Sequence, residues 1–253
     1  MKEQFNLKEK TILIIGASGR IGSEICEALS HTGANIVAAD IEGSKLKEES
    51  SSYLPLKVDI TDINSIKNVF KESLKKFSKI DSAINVSYPK NKNYGSLFEN
   101  VKYEDFCENV SLHLGGYFLF MQQCVDYSLK NEVKFSLVNF SSIYGVISPR
   151  FKIYSETDMT LPVEYAAMKS AIQHLSLYVS SYTKGSEFRV NCISPGGILD
   201  DQNQLFLKRY KSLSRKKGML DPEDLVGTVL YLCSNLSEYV CGQNIIVDDG
   251  FSV

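Results

Sequence analysis

The sequence predicts an α/β fold in which a mostly parallel sheet of seven strands has helices on both faces. Short apolar runs rich in β-branched residues alternate with longer stretches of helical spacing. The connections are mostly short, and no internal repeat or low-complexity linker divides the 253 residues. This alternation is typical of a doubly wound, Rossmann-type sheet. We therefore predict a single domain over residues 1–253.

Seven apolar runs are the predicted strands, and five amphipathic stretches are the predicted helices. The strands are Thr11–Ile15, Asn35–Ala39, Leu54–Val58, Ser82–Val86, Phe135–Phe140, Arg189–Ile193 and Asn244–Val247. The helices are Ile21–His31, Ile63–Phe77, Tyr103–Lys130, Val163–Tyr182 and Pro222–Ser234. Three segments, at about 88–100, 145–162 and 198–217, are predicted as substrate loops, because long loops in a compact domain are usually functional.

The composition excludes several classes of partner. A formal net charge of −2 and a pI near 6.0 give no basic field for nucleic acid or an anionic membrane. No apolar run approaches the roughly 18 residues that a membrane-spanning helix needs. The polar residues 1–10 also lack the apolar region of a signal peptide. We expect a cytoplasmic protein that acts on a small molecule.

The cysteines and histidines do not form a metal-binding pattern. The six cysteines include no Cys-x-x-Cys pair, and the chain has only three histidines. A structural zinc site needs about four suitably spaced ligands. We therefore expect no metal, and cysteines that are reduced and mostly buried.

A glycine-rich turn follows the first predicted strand. Residues 16–22 read Gly-Ala-Ser-Gly-Arg-Ile-Gly and lead into the first helix. Such a turn lets backbone N–H groups approach a pyrophosphate at the positive end of the helix, although any tight turn can produce the same glycines. The cofactor contacts predicted here are Gly16, Ser18, Gly19, Arg20, Ile21 and Gly22.

Asp40, at the end of the second strand, predicts which dinucleotide binds. Its carboxylate can accept hydrogen bonds from both hydroxyls of an adenosine ribose, and it would repel a 2′-phosphate. Arg20 is the counterargument, since a cation in the glycine turn can pair with a 2′-phosphate. We predict NAD rather than NADP.

Four further signals follow in order along the chain. Ser142 lies at the end of the fifth strand, and Tyr165-Ala-Ala-Met-Lys169 lies in a helical pattern. Residues 189–197 read Arg-Val-Asn-Cys-Ile-Ser-Pro-Gly-Gly, and residues 241–250 include Cys-Gly-Gln and Val-Asp-Asp-Gly. Together with the glycine turn, this series resembles the short, single-domain branch of the short-chain dehydrogenase/reductase family.

That resemblance implies an oxidoreductase in which three side chains act on a carbonyl or alcohol. By analogy, Ser142 orients the substrate oxygen, Tyr165 transfers the proton, and Lys169 holds the nicotinamide ribose. The spacing agrees with this, because residues four apart share a helix face. An ammonium beside a phenol favours the phenolate and lowers its pKa toward neutrality.

Other positions of the family pattern match with some departures. Asp59 and Ile60 resemble the residues that contact adenine in the family. The turn that receives the nicotinamide carboxamide is matched by Pro195, Gly196 and Ile198. The place of an Asn-Asn-Ala-Gly motif is taken by Asn85, Val86, Ser87 and Tyr88. Arg20 stands where the family has its middle glycine, and Asp200 stands where it has a threonine.

A fourth catalytic position of the family, usually asparagine, is occupied by His113. In the family this residue supports a water-linked proton path from the lysine. A histidine donates and accepts hydrogen bonds at the same time, so it can serve such a path. The alternative is a histidine that merely packs in its helix, and the sequence leaves both open.

The predicted substrate residues lie on the long loops and are Tyr88, Arg150 and Tyr154. An insertion at residues 148–158 lengthens the interval between Ser142 and Tyr165. Its cations and aromatic residues suit an anionic sugar phosphate or sugar nucleotide, with solvated loop charge as the alternative. Together with Tyr88-Pro89 and His113, the insertion resembles a subgroup of the family found in flagellin-modification and surface-polysaccharide clusters.

The sequence leaves two other functions open. One is a ketoacyl-thioester reductase, which typically uses NADPH and is disfavoured by Asp40. The other is a non-catalytic, NAD-binding sensor or scaffold, which the intact Ser142, Tyr165 and Lys169 oppose. The resemblance also implies assembly as a homotetramer or homodimer through the two long helices.

Overall fold

A computed structural model describes residues 6–253, and within them the chain forms one seven-stranded sheet. The strands are β1 (Thr11–Ile15), β2 (Asn35–Asp40), β3 (Tyr53–Lys57), β4 (Ser82–Asn85), β5 (Phe135–Phe140), β6 (Phe188–Pro195) and β7 (Asn244–Val247). Part of the polar N-terminus, residues 1–5, lies outside the described residues. The predicted α/β class is confirmed.

All six strand pairings are parallel, in the order β3-β2-β1-β4-β5-β6-β7. The order reverses beside β1, which pairs with both β2 and β4. Ile15, the last residue of β1, is level with Ala39 on one side and Asn85 on the other. The carboxyl ends of β1, β2 and β4 therefore open onto one crevice, which is where ligands bind in sheets of this type.

In the described part of the chain, six α-helices cover the sheet: α1 (Arg20–Ser30), α2 (Ile63–Phe77), α3 (Tyr103–Asn131), α4 (Val163–Tyr182), α5 (Gln204–Ser212) and α6 (Val226–Cys233). The bounds of α2 and α4 are those predicted. The last predicted helix differs, because residues 222–225 form a 3-10 turn before α6 begins. That turn starts at a capping box of Asp221 and Asp224 with a proline at its first position.

The segment at about 198–217, predicted as a substrate loop, contains the helix α5. Phe206 and Tyr210, one turn apart on α5, are buried against residues from the loop at 145–162 and from the C-terminus. A helix this short gains its stability from tertiary packing rather than from its own sequence. The contacts that stabilise α5 thus come from segments distant in the chain.

The sheet is buried on both faces. Leu13 and Ile15 of β1 pack into the core cluster under α2, α3 and α4. Ile12 and Ile14, which point the other way, pack into the cluster under α1 and α6. A third, smaller cluster lies beyond the carboxyl ends of the strands and consists of Ile143, Tyr144, Ile153, Phe206, Tyr210 and Phe251. This third cluster positions the loop at 145–162 above the carboxyl ends of the strands.

Among residues 6–253, no helix has both the length and the apolar character needed to cross a membrane. The same part of the chain contains no group of three or more His, Cys, Asp or Glu side chains that could hold a metal ion. The six cysteines are free, and four of them are buried.

Candidate active site

The glycine turn between β1 and α1 is shaped by close backbone contacts. Gly16 has a φ of +87°, which L side chains rarely adopt, and a Cβ there would lie 2.9 Å from the nitrogen of Ser87. A Cβ at Gly22 would lie 2.1 Å from the oxygen of Gly16. No side chain caps α1 at its N-cap residue, Gly19, so the N–H groups of its first turn suit an anion.

Asp40 lies at the carboxyl end of β2 and is only 9% exposed. Its Oδ2 accepts a hydrogen bond from the Ser18 nitrogen at 2.9 Å, and its Oδ1 accepts one from the Glu42 nitrogen at 3.1 Å. Each oxygen keeps lone pairs for a further donor. Asp40 borders a cavity of about 600 Å³, here called the nucleotide cavity, whose other predicted members are Gly16, Ser18, Gly19, Asp59, Ile60, Val86, Ser87 and Tyr88.

Three of the four predicted catalytic residues, Ser142, Tyr165 and Lys169, meet in a second cavity of about 450 Å³, here called the catalytic cavity. Ser142 follows β5, and Tyr165 and Lys169 project from α4. The Lys169 Nζ lies 5.8 Å from the centre of the Tyr165 ring and donates a hydrogen bond to the Phe140 oxygen at 2.9 Å. The same cavity is bordered by Ile21, Tyr88, Tyr154, Pro195, Gly196 and Ile198.

Burial changes the proton affinities of these groups. Lys169 is 4% exposed, and burial lowers its pKa to about 7. Burial raises the pKa of Tyr165, which is the opposite of the lowering predicted from the sequence, and only the Ser142 hydroxyl beside it acts in the lowering direction among the described residues. The Lys169 Nζ also lies 5.5 Å and 5.3 Å from the ring centres of Tyr88 and Tyr117, which stabilise its ammonium form. Lys169 therefore changes charge near neutral pH, next to the phenol.

Ser141 and Ser142 are distinguished by their hydrogen bonds. The Ser141 hydroxyl donates to the Lys169 oxygen at 2.7 Å and accepts from the Gln173 Nε2 at 2.8 Å. The Ser142 hydroxyl accepts only a 3.2 Å hydrogen bond from the Tyr144 nitrogen among the described residues. Ser141 thus connects β5 to α4, and Ser142 is the serine with capacity for a ligand.

His113 is fully buried on α3 and does not border either cavity. Its ring stacks on Tyr117 at 5.2 Å, and its Nδ1 lies 3.4 Å from the Pro89 oxygen. Burial, and secondarily the charge of Lys169, lower the pKa of His113 to about 2, so the ring is neutral. Its Nε2 is buried without a hydrogen-bond partner among residues 6–253. A neutral ring with Nδ1 protonated would present an acceptor at Nε2.

The two predicted arginines lie outside the cavity walls. Arg20 forms an ion pair with Asp200 across the cleft, and its Nη1 donates to the Leu199 oxygen at 2.9 Å. The Arg150 guanidinium lies 4.8 Å from the centre of the Phe251 ring, and Arg150 is not among the residues that border the catalytic cavity. Gly22 is buried at the start of α1, and its lack of a side chain allows the close contact with the Gly16 oxygen.

The end of β4 separates the two cavities. Asn85 is fully buried, and its Oδ1 accepts from the Ser87 nitrogen at 3.1 Å and from the Ser87 hydroxyl at 2.7 Å. Val86, Tyr88 and Lys90 border both cavities. The two cavities therefore adjoin along the carboxyl edge of the sheet.

Several residues of the catalytic cavity were not predicted as site residues. They are Lys90, Tyr94, Tyr144, Phe206 and Tyr210. The Tyr210 hydroxyl accepts from the Gly197 nitrogen at 2.7 Å and so connects α5 to the turn after β6. Only the spacing of Phe206 and Tyr210, four residues apart, indicates in the sequence that both occupy one helix face.

These residues fit a bound dinucleotide. The uncapped start of α1 suits a pyrophosphate, the Asp40 carboxylate suits a ribose diol, and the buried Asn85 Nδ2 has no hydrogen-bond partner among the described residues. When bound, such a cofactor supplies the hydride chemistry. The chain supplies the positions of Ser142, Tyr165 and Lys169.

Comparisons with known proteins agree with this geometry. A family model described as enoyl-(acyl carrier protein) reductase matches residues 16–252. The post-translational flagellin modification protein A of Campylobacter coli is 36% identical over 256 residues, which cover 98% of this chain and 100% of that protein. The chain belongs to the short-chain dehydrogenase/reductase family. The resemblance seen in its motifs is confirmed.

Other members of the short-chain dehydrogenase/reductase family support the assignment. A crystal structure of a short-chain dehydrogenase from Leptospira borgpetersenii with bound NAD+ is 34% identical and has a TM-score of 0.87, covering 98% of this chain and 94% of that one. The 3-oxoacyl-[acyl-carrier-protein] reductase of Thermotoga maritima is 29% identical over 262 residues, covering 98% of this chain and 99% of that protein. The protein is thus an oxidoreductase of this family.

Proposed function

We propose that the protein is an NAD(H)-dependent enzyme that interconverts a secondary alcohol and a ketone on a sugar or sugar-nucleotide precursor of a surface glycan or flagellin modification. The observation that carries this proposal is the meeting of Ser142, Tyr165 and Lys169 in a cavity that adjoins the one bordered by Asp40. The test is incubation of the purified protein with NAD+ and a panel of sugar nucleotides, followed by absorbance of NADH. Absence of turnover despite NADH binding would favour a sensor or scaffold.

Each catalytic side chain has a distinct role in this proposal. The Ser142 hydroxyl donates to the substrate oxygen, and the Tyr165 phenol gives that oxygen a proton during reduction or removes one during oxidation. In its ammonium form Lys169 favours the phenolate that oxidation requires. The buried surroundings strengthen these interactions, because the local dielectric is low.

NAD is the proposed cofactor because of two charged side chains at the nucleotide end, Asp40 and Arg20. Asp40 presents a carboxylate with free lone pairs where a ribose diol binds, and it disfavours a 2′-phosphate. Arg20, the cation that argued for NADP, is engaged by Asp200. The NAD+ bound to the Leptospira relative supports the same choice.

An anionic, hydroxyl-rich substrate is proposed from the walls of the catalytic cavity. Among residues 6–253, two lysines and no Asp or Glu border this cavity. The phenol groups offer donors and acceptors to hydroxyls, and their faces can contact the C–H faces of a sugar ring. The six bordering tyrosines are Tyr88, Tyr94, Tyr144, Tyr154, Tyr165 and Tyr210. The similarity to flagellin modification protein A supports a substrate of the glycan class.

Lys90 is the proposed contact for the substrate anion, and its replacement tests the substrate class. Its Nζ lies 5.6 Å from the ring centres of Tyr88 and Tyr94, at the edge of the catalytic cavity. We expect Lys90→Met to raise the KM of a phosphorylated ketose about tenfold, because the variant loses one charge-assisted hydrogen bond to the phosphate. The KM of the matching uncharged ketose should change less than twofold.

The control for Lys90 is Lys92→Met, on the same loop. Lys92 is exposed and does not border either cavity, so its loss removes the same charge without the local contact. A similar rise in KM for both variants, or for both ketoses, would mean that Lys90 does not recognise the anion. A change in the dissociation constant of NADH would instead place Lys90 at the cofactor.

His113 is proposed to act as a hydrogen-bond acceptor behind Lys169 rather than as an acid. We expect His113→Ala to lower kcat about tenfold, whereas His113→Asn should stay within about threefold, since asparagine retains an acceptor. Because the pKa of His113 is about 2, these losses should be equal at every pH from 5 to 8. Measurement of kcat across that range checks this. A loss below twofold in His113→Ala would leave only a packing role.

A ketoacyl-thioester reductase is the second candidate function. The similarity to the Thermotoga maritima reductase favours it, while Asp40 and the cationic, tyrosine-lined cavity argue against it. Oxidation of NADPH in the presence of a 3-ketoacyl thioester would distinguish the two candidates. Rapid turnover there, with none on ketosugars, would reverse the preference.

Assembly as a homodimer or homotetramer is also proposed. Phe118 on α3 and Leu177, Tyr178 and Tyr182 on α4 are exposed apolar side chains on the two long helices. The rings of Tyr178 and Tyr182 stack in parallel at 6.4 Å and form a flat exposed surface. Such surfaces commonly pack against a second copy. The molar mass measured by light scattering tests this.

A further inference from the structure

Two segments that lie far apart in the sequence contact each other at the cofactor cleft. Arg20 is the first residue of α1, directly after the glycine turn, and Asp200 lies on the segment that follows β6. The guanidinium of Arg20 forms an ion pair with the Asp200 carboxylate and donates a second hydrogen bond, 2.9 Å long, to the Leu199 oxygen. Two nitrogens of one guanidinium group thus bind the same segment.

The neighbours of this ion pair show where it lies. Gly19, before Arg20, borders the nucleotide cavity, and Ile21, after it, borders the catalytic cavity. Ile198, two residues before Asp200, also borders the catalytic cavity. The pair therefore spans the cleft at the junction of the two cavities, next to the turn where a pyrophosphate would bind.

The segment that carries Asp200 is ordered independently of Arg20. The Gln202 Nε2 donates to the Ile198 oxygen at 2.9 Å, and the Asp201 nitrogen donates to the Asp200 Oδ1 at 2.9 Å. The Leu199 nitrogen donates to the Leu220 oxygen at 2.7 Å, which attaches the segment to the chain after α5. Arg20 thus adds a second attachment, on the far side of the cleft, to a segment already fixed on one side.

We infer that the Arg20–Asp200 pair is a clasp across the cofactor cleft that controls how fast NAD(H) enters and leaves. This inference rests on the proposed use of NAD(H). The two side chains are 53% and 52% exposed, so salt weakens their attraction and water competes for their hydrogen bonds. Opening of the clasp is the step that salt and charge substitution accelerate.

The test measures NADH release and needs no substrate. NADH bound to the protein is displaced by excess NAD+ in a stopped-flow instrument, and the decay of its fluorescence gives the dissociation rate. We expect Asp200→Asn and Arg20→Met each to raise that rate about three- to tenfold. The association rate should rise with it, because a barrier to passage acts in both directions, and the dissociation constant should change less than about twofold.

The two variants together separate a clasp from a simple effect of charge. If the charges acted only on the bound phosphates through space, removal of the anion would slow release and removal of the cation would accelerate it. The clasp predicts acceleration in both cases, with no further acceleration in the double variant. Raising KCl from 50 to 500 mM should accelerate release from the unmodified protein and have little effect on Asp200→Asn.

The control is Glu238→Gln, which breaks an exposed ion pair with Lys134 distant from the cleft. Its release rate should equal that of the unmodified protein. Opposite effects of the two cleft variants, or rates equal to the control, would overturn the inference. Failure of the unmodified protein to bind NADH would instead overturn the proposed function, so the two failures are distinguishable.

Discussion

Replacing Tyr165 with phenylalanine should lower kcat by about a thousandfold and leave the dissociation constant of NADH within about twofold. A positioned general acid or base contributes about 10²- to 10⁴-fold, and phenylalanine removes the hydroxyl that would act in this way. The ring itself remains, so its contacts with Lys169 and with Tyr88 at 5.8 Å are kept. The measurement is steady-state turnover combined with an NADH fluorescence titration.

Tyr154→Phe is the matched control for this experiment. Tyr154 borders the same cavity, and its hydroxyl lies 3.4 Å from the Tyr144 hydroxyl, so the variant removes one phenol oxygen without touching the proposed proton path. It should change kcat less than about fivefold. Near-normal turnover in Tyr165→Phe would refute the catalytic assignment. Equal losses in both variants would show that the cavity responds to any lost hydroxyl.

Replacing Asp40 with asparagine should reverse or abolish the preference for NADH, with the ratio of kcat/KM for NADH to that for NADPH falling about a hundredfold. Two charge-assisted hydrogen bonds to a ribose diol contribute about 1.5–3 kcal/mol each, and the repulsion of a 2′-phosphate disappears at the same time. Asparagine retains an oxygen that can accept from the Ser18 nitrogen, so the glycine turn keeps its support.

The control for Asp40 is Glu42→Gln. Glu42 borders the same cavity but is exposed and paired with Lys45. Its substitution removes the same charge with little expected effect on the cofactor ratio. If the unmodified protein used NADH and NADPH with similar efficiency, the proposed role of Asp40 would be wrong before any substitution was made.

The predicted elements agree best with the structure where the signal is local. The helices α2 and α4 have the predicted bounds, since Asp62 caps the first and Pro162 precedes the second. The strands β1, β5 and β7 also have the predicted bounds, as short apolar runs between turns. The sequence does not predict helix α5, because its apolar side chains pack against residues in the loop at 145–162 and near the C-terminus.

The site was predicted unevenly for the same reason. The glycine turn, Asp40, and the four-residue interval from Tyr165 to Lys169 are short-range patterns whose geometry follows from backbone rules. The direction of a loop side chain does not follow from its neighbours in sequence. Arg150, predicted as a substrate residue, instead lies against Phe251. The unpartnered Nε2 of His113 likewise depends on packing around α3.

The sequence by itself determined the order of strands and helices along the chain, the glycine turn and the spacing of the catalytic side chains on α4. Each of these depends on backbone preferences and on periodicity within a few residues. Only the tertiary structure decided that two cavities adjoin at Tyr88, that a neutral His113 lies behind Lys169, and that Arg20 reaches Asp200. These contacts join residues distant in sequence, and they form only when packing of the whole domain brings their elements together.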